Sequence, residues 1–287
     1  SEVREELCRI LPEKRCCRFA ECYGILLFCN TFAKNEIKIV TESRSFAELL
    51  PRLFRRTFGL DFDQFPSLQQ PGKLTFIIDD PEKLDYIFSV YGQEHPALAL
   101  HVNFAVLEDE CCRQSFMRGA FLAGGSVTDP DKRYHLELVT SHQKVSDESY
   151  QLLLEMGFSP LDAQRGGSRI LYFKRSDMIV DYLTAIGAPV CAMKIIEAKV
   201  EKELRNGVNR RCNCDTANLG KAVNAAQQQL QRGKLDTLPE KLRDAARLRE
   251  ENPEATLSEL AAMAEPPLSK PAMSHRMRKL IELSTEG

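Results

Sequence analysis

The 287-residue sequence has no run of 18 apolar residues, so no segment has the length and hydrophobicity of a membrane-spanning helix. Its first residues, SEVREELCRILPEKR, lack the apolar core of a secretion signal, and we therefore expect a cytoplasmic protein. Neither sign of charge is in excess, since 39 basic residues face 41 acidic ones. This balance excludes a histone-like protein with an entirely basic surface, although it allows a local basic patch.

The sequence also lacks the spacings that usually mark a metal site or a catalytic centre. Its ten cysteines include two adjacent pairs and one C-x-C, but no C-x-x-C and no nearby histidine that would complete a zinc site. No phosphate-binding loop, G-x-S-x-G or H-E-x-x-H motif is present. We therefore expect no metal and no cofactor, and we interpret most cysteines as small apolar core residues. The alternative, a metal shared among cysteines distant in sequence, stays open but gains little support from the spacing.

The sequence does contain an internal repeat. Three pairs of segments recur in the same order, at offsets between 95 and 99 residues. They are AECYGILLFCNTF and SFMRGAFLAGGSV, IKIVTES and LELVTSH, and DYIFSVYG and DYLTAIGA. Because chance gives one such pair more readily than three in order, we infer a duplicated domain over residues 1–190, with repeats at about 14–92 and 112–188.

Within each repeat the hydrophobic pattern switches between helical and strand periods. An apolar helix comes first, and a strand, an amphipathic helix, a second strand and a last helix follow, which is an α+β arrangement. The strands are predicted at 36–41 and 73–79 in the first repeat, and at 134–140 and 169–174 in the second. The later helices are predicted at 46–58, 81–91, 147–156 and 177–186.

The second repeat begins with a segment, residues 117–126, that is rich in small residues. They are Gly119, Ala120, Ala123 and Gly124. Glycine costs about 1 kcal/mol relative to alanine inside a helix, so its presence there needs a reason. Small residues at i, i+1, i+4 and i+5 leave one side of a helix bare, and Gly24 offers a similar notch in the first repeat. We predict that the two helices pack against each other between the repeats. The alternative is a glycine-rich turn after a short helix.

The C-terminal third is helical in pattern throughout. We predict a helical linker at 191–208, broken at Asn206 and Gly207, and a separate domain at 209–287 with helices at 217–231 and 239–250. The sharpest signal is a pair of short helices at 255–263 and 269–280, joined by a turn. The first begins with a capping-box spacing, Thr256 to Glu259. The second has four basic residues, no acid, and an apolar stripe.

This layout is that of a helix-turn-helix, in which the second helix enters the DNA major groove. Its stripe of Met273, Met277 and Leu280 faces the core, and basic or hydroxyl side chains cover the other faces. The predicted DNA-binding residues are Ser269, Lys270, Ser274, His275, Arg276, Arg278 and Lys279, with Arg210 and Arg211 from the linker. The alternative is a basic helix that is only a solvated surface.

Three stretches together carry a family resemblance: residues 118–127, residues 209–223 (NRRCNCDTANLGKAV) and the segment from Asp236 onward. The first resembles the signature helix of LAGLIDADG homing endonucleases. The whole chain resembles the WhiA family of bacterial transcription and cell-division regulators, which join a LAGLIDADG-like domain to a C-terminal helix-turn-helix. The resemblance implies a pseudo-two-fold duplicated LAGLIDADG-like domain followed by an all-α helix-turn-helix domain.

The same resemblance gives a reason to expect no nuclease activity. In active homing endonucleases an acid near the end of each signature helix holds a divalent metal over the DNA. The matching positions here are Cys29 and Gly124, and neither side chain is a ligand for a hard cation. Asp129 and Asp131 follow the second helix, but their DPDK segment is typical of a turn.

We therefore expect a nucleoid-associated, sequence-specific transcription regulator whose partner is double-stranded DNA. By resemblance, the regulated process is cell division, chromosome segregation or sporulation. The duplicated domain would add DNA contacts or bind a regulatory protein partner, and it supplies a pseudo-dimer within one chain, so we expect a monomer. Two alternatives stay open: a metal-dependent DNA endonuclease, and a protein-interaction module that has lost DNA binding.

Overall fold

The structure is a computed structural model that describes residues 2–67, 72–93, 100–128, 133–231, 238–253 and 255–285, without the side chains of 211–231 and 284–285. Contacts divide the chain into two compact units, residues 1–201 and 202–287. The first unit combines helices with two sheets, and the described part of the second is helical. The expected order, an α+β domain followed by an all-α domain, is confirmed.

The first unit contains the two repeats. The elements of the first are α1 (Glu2–Leu7), α2 (Arg15–Phe28), β1 (Thr31–Ala33), β2 (Glu36–Thr41), α3 (Arg44–Phe58), β3 (Leu74–Ile78) and α4 (Pro81–Val90). A 3-10 turn at Phe104–Val106 precedes the second. Its elements are α5 (Glu110–Gly124), β4 (Gly125–Val127), β5 (Leu136–Thr140), α6 (Gln143–Glu155), β6 (Leu161–Arg165), β7 (Ser168–Phe173) and α7 (Ser176–Ile186).

Each repeat builds one antiparallel sheet, and the two sheets are related. The strand order is β1-β2-β3 in the first and β4-β5-β7-β6 in the second. Ile39 of β2 lies opposite Phe76 of β3, as Leu138 of β5 lies opposite Leu171 of β7. Burial alternates along β2 and β5, so one face of each sheet packs on the core and the other is polar. The second sheet has one strand more, β6.

Helices α2 and α5 pack directly against each other at the centre of the unit. A Cβ atom on Gly24 would overlap the carbonyl oxygen of Phe116, and one on Gly119 would overlap the carbonyl oxygen of Glu21. The backbones therefore approach more closely than any side chain allows, which is the reason for glycine at these helical positions. The predicted packing of the two helices is confirmed, and the alternative of a glycine-rich turn is wrong.

Four short elements were not expected from the sequence. These are α1, β1, β4 and β6. Strands β1 and β4 have three residues each, and β6 is exposed along most of its length, so none of these three strands has a run of alternating apolar residues. The three strands form because the longer strands beside them offer unpaired backbone groups, and a local sequence pattern does not record that pairing.

A long helix, α8 (Pro189–Gln231), joins the last helix of the second repeat to the C-terminal unit. The break predicted at Asn206 and Gly207 is wrong, since α8 continues through both residues. A single glycine costs only about 1 kcal/mol, and extending an existing helix is far easier than starting a new one. The helical character expected at 191–208 and 217–231 is present, whereas the domain limit at 209 stays a prediction.

The described part of the C-terminal unit contains three further helices around a small core. They are α9 (Glu240–Glu251), α10 (Leu257–Met263) and α11 (Lys270–Thr285). The core residues are Leu238, Leu242, Ala245, Ala246, Leu260, Ala261, Ala264, Met273, Met277 and Leu280. Each of these helices is near its predicted position, and together they form the expected helix-turn-helix with one preceding helix.

Candidate nucleic-acid interface

Helices α10 and α11 are held in place by caps at their first turns. Thr256 Oγ1 accepts a hydrogen bond from the Glu259 amide (3.3 Å), while Glu259 Oε2 accepts one from the Thr256 amide (2.6 Å). This is the predicted capping box. Ser269 Oγ accepts a hydrogen bond from the Ala272 amide (3.4 Å), so Ser269 caps α11 as the sequence indicated. The first turn of each helix is therefore fixed, and Ser269 also holds the end of the turn that leads into α11.

The apolar stripe of α11 faces the core as predicted, with Met273, Met277 and Leu280 all buried. The other side of the helix carries the cations. Lys270, His275, Arg278 and Lys279 are exposed, and Ser274 is half-buried. Within the described residues, no hydrogen bond or ion pair occupies the amino group of Lys270 or Lys279 or the guanidinium of Arg278. These groups are free to bind an external anion.

Two of the predicted DNA-binding arginines, Arg276 and Arg210, do not lie on the exposed side of α11. Arg276 is half-buried, and its Nη1 donates to the carbonyl oxygen of Lys241 in α9 (3.3 Å), so part of its hydrogen-bonding capacity holds α11 on α9. Arg210 is exposed on α8. The side chain of Arg211 lies outside the described residues. The residues of α11 share one surface, whereas Arg210 belongs to a different element.

One positioning residue of this unit was not predicted. Arg249 is fully buried, and its Nη1 donates to the carbonyl oxygens of Asn252 (3.4 Å), Pro253 (3.4 Å) and Ala255 (2.7 Å). Burial lowers the pKa of its guanidinium. These bonds fix the loop between α9 and α10. The sequence does indicate that this arginine is buried, because Arg249 continues the apolar stripe of Leu242, Ala245 and Ala246 at helical spacing.

At the C-terminal end of α2, Cys29 occupies the position of the first expected acid. Its Sγ lies 3.1 Å from the carbonyl oxygens of Leu26 and Thr31, which share its one proton. Burial raises the pKa of this thiol to about 12, so it stays protonated at neutral pH. A buried, neutral thiol that already donates to the backbone is not a ligand for Mg²⁺, which needs charged or carbonyl oxygen.

At the matching end of α5, Gly124 leaves no room for a longer side chain. A Cβ atom there would overlap the carbonyl oxygen of Val139 in β5. Neither helix end therefore presents a carboxylate at the position where the homing-endonuclease pattern has one. Asp129 and Asp131, the other acids considered, lie outside the described residues.

A buried ion pair joins α2 and α5 in the middle of their contact. Arg118 Nε and Nη2 donate to Glu21 Oε2 at 3.0 and 2.6 Å. Arg118 also donates to the carbonyl oxygen of Ile186 (3.3 Å) and to Ser115 Oγ (3.2 Å). Burial raises the pKa of Glu21, and Arg118 opposes that rise. Nothing in the sequence pattern pairs these residues, because they are far apart in the chain.

The polar face of the second sheet is concave and carries several cations. It encloses a groove of about 930 Å³ that includes Arg133, Arg165 and Lys174. Among the described residues that line the groove, one acid faces them, since Glu137 accepts a hydrogen bond from Arg165 (3.1 Å). Lys174 lies over the ring of Tyr172, 5.2 Å from its centre. The net charge of these groups is positive, so the face is suited to an anionic ligand.

Two pseudo-symmetric repeats packed through glycine-bearing helices, followed by a helix-turn-helix unit, define a LAGLIDADG-like protein with a DNA-binding module. Two family models agree with this: one described as the WhiA LAGLIDADG-like domain matches residues 113–205, and one described as the WhiA C-terminal HTH domain matches residues 208–284. None of the described helices is long and apolar enough to cross a membrane.

The chain belongs to the WhiA family. It is 35% identical to the probable cell division protein WhiA of Ruminiclostridium cellulolyticum, a match that covers 98% of this chain and 95% of that one. It is 34% identical to the protein of the same name from Alkaliphilus oremlandii, over 99% and 96% of the two chains. Among solved structures, full-length DUF199/WhiA from Thermatoga maritima has the same fold, with a TM-score of 0.57, 20% identity and coverage of 99% and 97%.

Proposed function

We propose that this chain is a sequence-specific, DNA-binding regulator of transcription that acts in cell division, and that α11 is its recognition helix. The observation that carries the proposal is the exposed side of α11, where the amino groups of Lys270 and Lys279 and the guanidinium of Arg278 have no partner within the described residues. The process is taken from the relatives, which are named probable cell division proteins. Chromosome segregation and sporulation are the related processes that the family resemblance implies.

Different parts of α11 would contribute differently to binding. In a helix-turn-helix the first residues of the second helix meet base edges, while the rest of the unit contacts the phosphates. Lys270 and Ser274 are in that first part and are the residues we assign to base edges. Arg278 and Lys279 lie further along the helix and suit phosphate oxygens. Arg276 would act mainly by holding α11 on α9.

We propose that the chain does not cleave DNA. Metal-dependent cleavage needs carboxylates that hold the ion over the scissile phosphate. The helix ends carry a buried thiol at Cys29 and a glycine at Gly124 that has no space for a side chain. The test is incubation of supercoiled plasmid with the purified chain and Mg²⁺ or Mn²⁺. Nicking that disappears in an Asp129→Ala variant would overturn the proposal.

The polar face of the second sheet would add phosphate contacts, because Arg133, Arg165 and Lys174 line its groove. A Lys174→Ala variant is expected to bind DNA more weakly at low salt, with an unchanged sequence preference, since phosphate contacts carry no sequence information. Unchanged affinity would favour a regulatory protein partner at this face.

We further propose that the protein is cytoplasmic and nucleoid-associated and that it is a monomer. Light scattering measures its mass in solution and so tests the monomer.

DNA binding through α11 is tested with fluorescently labelled duplexes selected from a random library by the wild-type chain. Arg278→Ala is expected to weaken binding about tenfold and to reduce the slope of log affinity against log salt by about one. Arg247→Ala is the matched control, because Arg247 is an exposed arginine on the side of α9 away from the core. Unchanged affinity in both Arg278→Ala and Lys279→Ala would remove α11 from the interface.

A further inference from the structure

Four cysteines meet where the first turns of α2 and α5 come together. Cys16 and Cys17 are the second and third residues of α2, and Cys111 and Cys112 hold the same two places in α5. The pairs are 95 residues apart, which is the offset of the internal repeat. The pseudo-two-fold relation of the repeats thus converts two adjacent pairs, each too short to enclose a metal alone, into one group of four thiols.

The four sulfur atoms are close to the arrangement of a single tetrahedral metal site. All four Sγ atoms lie within 4.8 Å of one another, and those of Cys16 and Cys17 are 4.0 Å apart. Across the helices, the thiols of Cys111 and Cys112 are the neighbours of those of Cys16 and Cys17. Zn–S bonds of about 2.3 Å place neighbouring sulfurs of a tetrahedron about 3.8 Å apart. A contraction of about 1 Å or less would therefore close the group around one ion.

The chemistry of the group selects among metals. Four sulfur ligands without a carboxylate favour soft or borderline cations over Mg²⁺ or Ca²⁺. An iron–sulfur cluster distributes its cysteines over separate iron atoms, so it needs sulfurs further apart than these. A closed set of four cysteine ligands is typical of structural zinc.

The surroundings allow an ion to enter the group. Cys17 and Cys112 are buried, Cys111 is half-buried and Cys16 is exposed, so one side of the group faces solvent. The positive ends of two helix dipoles meet at the sulfurs, since all four residues are in first turns. Two helices thus contribute to the same site.

We propose that Cys16, Cys17, Cys111 and Cys112 bind one zinc ion, which fastens the two repeats to each other at the N-terminal ends of α2 and α5. Cys29 is about 20 Å away along α2, at a rise of 1.5 Å per residue, so the zinc is not part of a nuclease centre. Four sulfurs complete the coordination and leave no place for water, which makes the role structural. The ion stabilises the first unit by joining segments that are distant in the chain.

The first experiment measures the zinc content of the full chain, purified reduced and without oxygen, by mass spectrometry of the metal. About one zinc per chain is expected. A Cys16→Ser/Cys111→Ser variant, which changes one accessible cysteine on each helix, is expected to lose more than nine tenths of it and to melt at a lower temperature. Cys8→Ser and Cys212→Ser/Cys214→Ser are the controls, and both are expected to keep the full zinc content.

A second measurement does not depend on the folding of a variant. Cobalt added to the metal-free wild-type chain is expected to give the strong visible and near-ultraviolet absorption of a tetrahedral thiolate site, and zinc is expected to abolish it. The proposal is overturned if the reduced wild-type chain takes up no zinc or cobalt, or if the Cys16→Ser/Cys111→Ser variant keeps its zinc. Disulfides among the four cysteines of the anaerobically isolated chain would also overturn it, in favour of an oxidised pair.

Discussion

The buried pair of Glu21 and Arg118 makes a prediction whose size follows from the structure. The Glu21 side chain is 0% exposed and that of Arg118 is 9% exposed, and two hydrogen bonds join them. Arg118→Met keeps much of the side-chain volume but leaves the carboxylate without its partner inside the protein. Stranding one charge in this way costs about 3–5 kcal/mol, which is a large part of the stability of an ordinary domain. The loss is measured by urea titration of the full chain followed by circular dichroism.

The matched experiment is a double-mutant cycle. Glu21→Leu alone is expected to cost a similar amount, because it strands the guanidinium. The double variant Glu21→Leu/Arg118→Met removes both charges, and well-packed apolar replacements of a buried ion pair are often neutral or stabilising. It is therefore expected within about 2 kcal/mol of the wild type, with a coupling energy of several kcal/mol. If the two single losses simply add in the double variant, the pair is not the reason for either loss.

The same variant has a predicted pH dependence. Burial raises the pKa of Glu21 above its ordinary value of 4.5, and Arg118 opposes this rise, so Arg118→Met is expected to raise the pKa further. An acid whose pKa is higher in the folded state stabilises folding when protonated, and that contribution is lost as the pH rises through the folded pKa. The destabilisation of Arg118→Met is therefore expected to be larger at about pH 8 than at about pH 5. A loss independent of pH would contradict this.

Three further predictions concern a glycine of the helix contact, the cap of α10 and the C-terminal ends of α2 and α5. Gly119→Ala is expected to destabilise the first unit by about 1–3 kcal/mol in urea titrations, because its Cβ would overlap a carbonyl oxygen of α2. Gly207→Ala is the control, because its Cβ would meet no described atom within 4 Å, and it is expected to gain up to about 1 kcal/mol of stability. Thr256→Ala removes the cap of α10 and is expected to cost the second unit about 1 kcal/mol in thermal unfolding, most of which Thr256→Ser restores. Cys29→Asp/Gly124→Asp is expected to give no nicking of plasmid with Mg²⁺, because the second carboxylate has no space beside β5; nicking would show that the site needs only its acids.

Prediction from the sequence worked best where two periodic signals supported each other. Strand β2 (Glu36–Thr41) lies at its predicted residues, because apolar and polar residues alternate there and the second repeat shows the same alternation at β5. It failed at β6, which is mostly exposed and has no apolar face for a pattern to reveal. Such a strand forms because β7 offers it a ladder of hydrogen bonds, and no local preference records that.

The candidate site also has features that the sequence predicts and features that it does not. The stripe of Met273 and Met277 was predictable, since helical spacing determines which residues of one helix share a face. The pairing of Glu21 with Arg118 was not, because it depends on the crossing of two helices that are nearly a hundred residues apart. Arg249 is an intermediate case: its place on an apolar stripe was visible, but the three carbonyl oxygens that accept its hydrogen bonds come from a loop.

The cysteines show why spacing along the chain is insufficient in a duplicated protein. A motif search asks whether ligands follow one another at short intervals, and an adjacent pair such as Cys16 and Cys17 fails that test. A pseudo-two-fold axis brings each residue near it close to its counterpart in the other repeat, so each position next to the axis contributes two side chains to one place. At the middle of α2 and α5 both of these residues are glycines, which lets the backbones meet. At the first turns of the same helices the two adjacent cysteines of each repeat come together as a group of four thiols. At their last turns, where a nuclease would have two acids, the corresponding residues are Cys29 and Gly124. The close packing of the two helices therefore joins the repeats, and neither Cys29 nor Gly124 supplies the acid that an endonuclease has at that position.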